Sequence, residues 1–185
     1  MYDWMETLNS GDLYMMNYGA KDLARSFRTV RANTAQIAND IPENKYTFAP
    51  ADGTQTVGQL LAHIAITYRL FQAMHMQKDP SKPVDFQKLF AEIGAEAKKP
   101  RSKNDILELL NTEGEKCEKW LETLSDEFLA ERVDMPNGDP PSKSRLEMLM
   151  SIKEHEMHHR GQLMLIERIL GIVPHLTRQR EAARN

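Results

Sequence analysis

A chain of 185 residues, 41% of them hydrophobic, is long enough to bury one core without disulfides or a structural metal, so any metal it binds is free to serve function. A formal net charge of -3 and a pI near 6.1 supply no basic field for neutralising phosphates, which excludes nucleic acid as an expected partner. The single cysteine, Cys117, cannot form an internal disulfide, no signal-peptide pattern opens the sequence, and no apolar run approaches the roughly 18 to 20 residues of a membrane span, so a soluble cytoplasmic protein with no membrane contact is expected.

Residues 1–18 hold Trp4, Tyr14, Tyr18 and four of the eleven methionines, and they read as an arm that packs on the domain or serves self-association. From Ala20, Leu23, Phe27, Val30, Thr34, Ile37 and Ile41 recur at alternating intervals of four and three, the spacing of one helical face, and Pro42 ends this first helix. The stretch from Pro42 to Gly53 is a loop, after which Thr54 or Thr56 can cap a second helix running from Val57 to Gln77. Its inner face carries Val57, Leu60, Leu61, Ile64, Tyr68, Phe71 and Met74, and Asp79, Pro80 and Pro83 stop it.

Residues 84–97 have the pattern of a short amphipathic helix inside the connection to the third long helix, which carries Ile106, Leu107, Leu110, Cys117, Trp120, Leu121 and Leu124. A proline-rich loop from Asp134 to Ser142 follows, and Ser144 precedes a fourth helix from Arg145 to Leu170 that Gly171 and Pro174 end. No alternating run bounded by turns predicts a strand. The expected fold is all-α: a four-helix bundle over residues 19–175, with the short extra helix between helices two and three, the arm at 1–18, and a polar, frayed tail at 176–185.

The chemistry sits in the fourth helix. His155 and His159 are four residues apart, which separates them by roughly 40° around the axis and about 6 Å along it, so both rings lean over one patch. The stripe Leu149, Ile152, His155, His159, Leu163, Ile166 and Leu170 turns that patch inward. Buried imidazoles need partners, and either a hydrogen-bonded pair of core histidines or a shared metal provides them. His63, between Leu60 and Ile64 on the inner side of the second helix, adds a third core-facing histidine and favours the metal. Three neutral nitrogen donors suit zinc, nickel, ferrous iron or cobalt and leave coordination positions open. The same stretch satisfies the His-Glu-x-x-His pattern of zinc peptidases with Glu156 as base, but Glu156 lies about 100° around the helix from His155, and Glu167 is the nearest downstream third ligand.

The stretches TVGQLLAHIA around His63 and EHEMHHRGQLMLIERILGIVP around His155 and His159 resemble the two signature regions of the DinB/YfiT-like superfamily, and the resemblance extends over residues 20–175. It implies a four-helix bundle, ligand roles for His63, His155 and His159, and a homodimer. Better understood relatives include thiol-dependent transferases and isomerases, so activation of a low-molecular-weight thiol for transfer to a small-molecule electrophile is the first functional expectation, although the resemblance itself carries no substrate. It gives no catalytic residue. A metal-assisted hydrolase and a non-catalytic metal-binding or interaction bundle are the other readings.

Gln59 and Thr67, one turn either side of His63, and Gln162, two turns from His155, are candidates for orienting a ligand or a bound water. Gly161 either permits a close helix approach or is an exposed, tolerated glycine. His158 is rotated away from the shared site, His75 lies near the end of the second helix, His175 lies beyond the last one, and Cys117 falls in the apolar pattern of the third helix as a buried, inert thiol.

Overall fold

The computed structural model describes residues 18–77, 84–135, 138 and 140–184. The arm, apart from its last residue Tyr18, and the Asp79, Pro80 and Pro83 stop lie outside them.

Helix α1 (Ala20–Asp40) buries Leu23, Phe27, Val30, Thr34 and Ile37, the stripe read from the sequence. It ends where Ile41 turns extended before Pro42, as the ring of a following proline requires. After a 3₁₀ turn (Glu43–Lys45), the Tyr46 hydroxyl donates to the Ala38 carbonyl at 2.7 Å and ties the loop back to α1.

Of the two candidate caps, Thr56 starts α2 (Val57–Ile66): its side chain accepts from the Gln59 N–H while Gln59 Oε1 accepts from the Thr56 N–H. The single helix expected from Val57 to Gln77 is interrupted at Thr67 and resumes as α3 (Tyr68–Met76). Thr67 Oγ1 donates to the His63 carbonyl at 2.7 Å, a back-bond that bends helices.

The expected extra helix is α4 (Phe86–Ala97), and α5 (Lys103–Glu122) starts from a Ser102–Asp105 capping box. A short α6 (Asp126–Ala130) follows. The loop read as strandless contains an antiparallel pair, β1 (Arg132–Asp134) and β2 (Ser142–Ser144), with Val133 opposite Lys143. Three-residue strands are too short to show alternation, and Arg132 holds the pair by donating to Ser142 Oγ at 2.7 Å. Ser144 then caps α7 (Arg145–Ile169) with Glu147.

Gly171, at φ +77°, closes α7: Gly171 N–H donates to Arg168 O and Ile172 N–H to Glu167 O. The tail expected to fray is helical. In α8 (His175–Ala182), His175 is buried with Nε2 at 3.0 Å from Asn33 Oδ1, and Arg178 pairs with Asp40 at 2.6 Å. The polar composition of 176–185 concealed the Arg178 contact to α1, and the place of His175 after Pro174 concealed the other.

Four long helical segments, α1, α2–α3, α5 and α7, form the bundle, α1 packing on α5 and α7 and α2 on α5 and α7. The apolar interior falls into two clusters, one with Ile37, Leu61, Leu110 and Leu163, the other with Phe27, Tyr68, Cys117 and Ile152. On each element the passage from one cluster to the other crosses polar residues: Arg31 on α1, Thr67 between α2 and α3, Glu113 on α5, and His155, Glu156 and His159 on α7. No helix among the described residues is long and apolar enough to cross a membrane.

Candidate metal centre

His63, from the last turns of α2, meets His155 and His159 from successive turns of α7. Nε2 of His155 lies 3.2 Å from Nε2 of His63 and 3.2 Å from Nε2 of His159. The ring planes are inclined by 58°, 78° and 89° to one another, so the rings converge by their nitrogens and do not stack. A hydrogen-bonded pair explains one such approach. It does not explain two at the same atom with a third ring adjoining, because a single Nε2 proton cannot serve both neighbours. Tetrahedral nitrogen ligands about 2.0 to 2.1 Å from an ion stand roughly 3.3 Å from each other, close to the observed spacing.

The electrostatics match a donor set. Burial pushes His63 down to about 4, with His159 adding to the shift, and burial followed by His159, His63 and His158 brings His155 down to about 4. Burial also lowers His159, although its hydrogen bond with Gln162 opposes the shift. At neutral pH the trio is uncharged. Gln162 Oε1 stands 2.8 Å from His159 Nδ1, and an amide oxygen accepts, so the proton sits on Nδ1 and the Nε2 lone pair faces the other two rings.

A family model described as the DinB superfamily matches residues 26–163, a span that includes all three histidines. The chain belongs to the DinB superfamily. It is 25% identical over 152 residues to the uncharacterized protein YjoA of Bacillus subtilis (strain 168), covering 82% of this chain and 91% of that protein. The crystal structure of YjoA, a DinB-like protein, matches with a TM-score of 0.59, covering 80% of this chain and 92% of that one. YfiT from Bacillus subtilis, described as a probable metal-dependent hydrolase with an unusual four-helix bundle topology, matches at 21% identity with a TM-score of 0.59, covering 83% and 88% of the two chains. A DinB-like protein from Bacillus cereus ATCC 10987 has a TM-score of 0.62 at 17% identity, covering 83% and 94%. The four-helix bundle read from the sequence is thus shared with YfiT.

Within this DinB bundle, the residues flanking the trio divide. Gln162 touches His159, but Gln59 is committed to the Thr56 capping box and leaves the site. Thr67 Oγ1 lies 3.4 Å from both ring nitrogens of His63 and is therefore aligned with neither lone pair, its proton going to the His63 carbonyl. His158 is exposed, its Nε2 3.4 Å from Gln162 Nε2, and it does not join the group of converging ligand atoms. Gly161 fits no close approach: a Cβ there would meet nothing within 4 Å.

Glu156 is buried and its carboxylate is taken up by Arg31, whose Nε donates at 3.0 and 3.1 Å and Nη2 at 3.0 Å. Glu167 is also buried, outside the trio, and burial followed by Asp40 pushes it up to about 7. The peptidase pattern therefore lacks both its free base and its third ligand. Burial also pushes the Cys117 thiol up, in keeping with an inert sulfur.

Sequence reasoning missed Arg31 and Glu113. Arg31 is four residues after Phe27 and three before Thr34, on the buried stripe of α1, so a charge on an apolar face was the available signal. Glu113 accepts from the Tyr68 hydroxyl at 3.1 Å, Arg69 Nε at 2.8 Å and Lys116 Nζ at 2.7 Å. Beside the trio, a cavity of about 280 Å³ opens against His159 and Gln162, walled by Leu60, Leu165, Ile166 and Ile169, with no charged residue in its lining.

Proposed function

We propose that this DinB protein is a mononuclear metalloenzyme in which His63, His155 and His159 hold zinc, nickel, iron or cobalt, and that it transfers a low-molecular-weight thiol to a small electrophile. The observation that carries the reading is the convergence of three neutral Nε2 atoms, two pairs of them 3.2 Å apart, beside an uncharged cavity. When bound, the ion supplies Lewis acidity that favours the ionised form of a thiol or water at neutral pH. Gln162 holds His159 in the tautomer that presents Nε2. Leu60 and Ile166, with the exposed Leu165 and Ile169, offer an apolar wall that receives an apolar part of the electrophile. In the transfer, sulfur bonds to an electrophilic carbon, the leaving group departs with its electron pair, and the thiol proton passes to solvent.

No carboxylate joins the trio among the described residues and Glu156 is occupied by Arg31, so the ion would have to generate either nucleophile without a protein base, and the resemblance to thiol-dependent transferases puts the thiol first. Similarity to YfiT, described as a probable metal-dependent hydrolase, supports a second reading in which water takes the place of the thiol. Both are tested by loading the protein with Zn²⁺, Ni²⁺, Fe²⁺ or Co²⁺ and assaying a panel of thiols with monobromobimane beside a panel of p-nitrophenyl esters. Metal-dependent conjugates that vanish in His63→Ala are expected. Metal-dependent ester hydrolysis without conjugates would replace thiol transfer by hydrolysis.

A further inference from the structure

We infer that Arg31 is a positioning residue for the metal centre, one side chain of α1 that sets the distance between the helix carrying His63 and the helix carrying His155. The inference rests on the metal reading above and goes beyond it, because the hydrogen bonds of Arg31 go to Glu156 and to the Leu110 and Ile64 carbonyls and none to a histidine. Arg31 is buried, and its guanidinium reaches all three other helices of the bundle. Nη1 donates to the Leu110 carbonyl of α5 at 2.8 Å, Nη2 to the Ile64 carbonyl of α2 at 3.2 Å, and Nε and Nη2 to the Glu156 carboxylate of α7. Two of these contacts fall one residue from a ligand: Ile64 follows His63 and Glu156 follows His155.

The planar fork makes the spacing specific. A guanidinium has its donors at fixed angles, so binding a carboxylate with two nitrogens while the same group binds two carbonyls fixes the three acceptors relative to one another. A lysine would supply one charged point with no such geometry. Ridge-into-groove packing fixes a helix crossing only to within about 15 to 20°, and a ligand set on two helices feels a difference of that kind directly. The backbone of α5 yields to Arg31 at Gly114, where a Cβ would come within 3.0 Å of Arg31 Cγ. On α7, Glu156 is the residue that gave the sequence its peptidase-like pattern, and here that carboxylate holds its helix to Arg31.

The test measures Co²⁺ affinity and the position of the Co²⁺ visible bands in wild type, Arg31→Lys, Glu156→Gln and the double variant Arg31→Met/Glu156→Leu, with ring-to-ring NOEs between His63 and His155 recorded in metal-free protein. The double variant fills the site with apolar groups of similar size and removes the tie without leaving a buried charge. Glu113→Gln, in the neighbouring buried cluster, is the control for general loosening. Expected are a tenfold or greater loss of Co²⁺ affinity, shifted bands and weakened His63–His155 NOEs in the double variant, smaller changes of the same sign in Glu156→Gln, and no rescue by Arg31→Lys. Glu113→Gln should lower Tm and leave affinity, bands and NOEs in place.

A folded double variant with wild-type affinity, bands and NOEs would overturn the inference, as would an equal affinity loss in Glu113→Gln. If the double variant does not fold, Glu156→Gln decides: shifted bands and weakened NOEs uphold the positioning role, and unchanged ones overturn it. If wild type binds no Co²⁺, the metal reading falls and the positioning role is judged on the NOEs alone.

Discussion

Titration of single side chains gives the first test. His63 and His155 are held down to about 4 in the folded chain against an ordinary 6.5, and burial, then Arg145, brings His75 down to about 4 as well. Between these values the unfolded chain binds protons that the folded chain refuses, so their contribution to stability is complete above about 6.5 and is lost as pH falls towards 4. Glu167, raised to about 7 from 4.5, works in the opposite sense, its contribution declining as pH rises through that interval. Three histidines outweigh one carboxyl. The urea midpoint of metal-free protein should therefore fall between pH 7 and pH 4.5, and a midpoint that rises on acidification would contradict the assigned environments.

The elements are held by local signals whose worth is separately measurable. Thr56 accepts the Gln59 N–H at 3.2 Å and starts the helix that carries His63. Thr56→Ala should cost about 1 kcal/mol, seen as a Tm lower by about 2 to 4 °C, with metal content unchanged; a loss of metal would mean that the cap also sets the position of His63. Such signals were legible in the sequence: the stripes of α1 and α2 are buried as read, those of α5 and α7 are buried except for the half-buried Leu107, Leu124, His155, His159 and Leu170, Thr56 is the cap of the two candidates, and the three histidines meet. What escaped reading depends on contacts that periodicity does not encode, most of them between residues distant in sequence. The tail helix α8 comes from Asn33 and Asp40 on α1, the hairpin from Arg132 and Ser142, and the burial of Arg31 from Glu156, 125 residues away, whereas the Thr67 back-bond alone does not account for the break there, since Thr29 and Thr34 make the same bond inside the unbroken α1. Periodicity reports that a face is buried, not which charge will be matched there.

At the scale of the whole bundle, two apolar clusters lie on either side of a polar layer, and neither cluster needs a metal to form. Replacing one ligand should accordingly leave the helices in place and remove only the ion, so metal content can be read without interference from unfolding. The deciding measurement is metal per chain by elemental analysis after reconstitution, on wild type, His63→Ala, His155→Ala, His159→Ala and His158→Ala, each checked for folding by circular dichroism. One equivalent in wild type and in His158→Ala, and near zero in the other three, is the predicted result. One equivalent retained by folded His63→Ala would contradict the account, because a site independent of α2 is not the one formed where α2 and α7 meet.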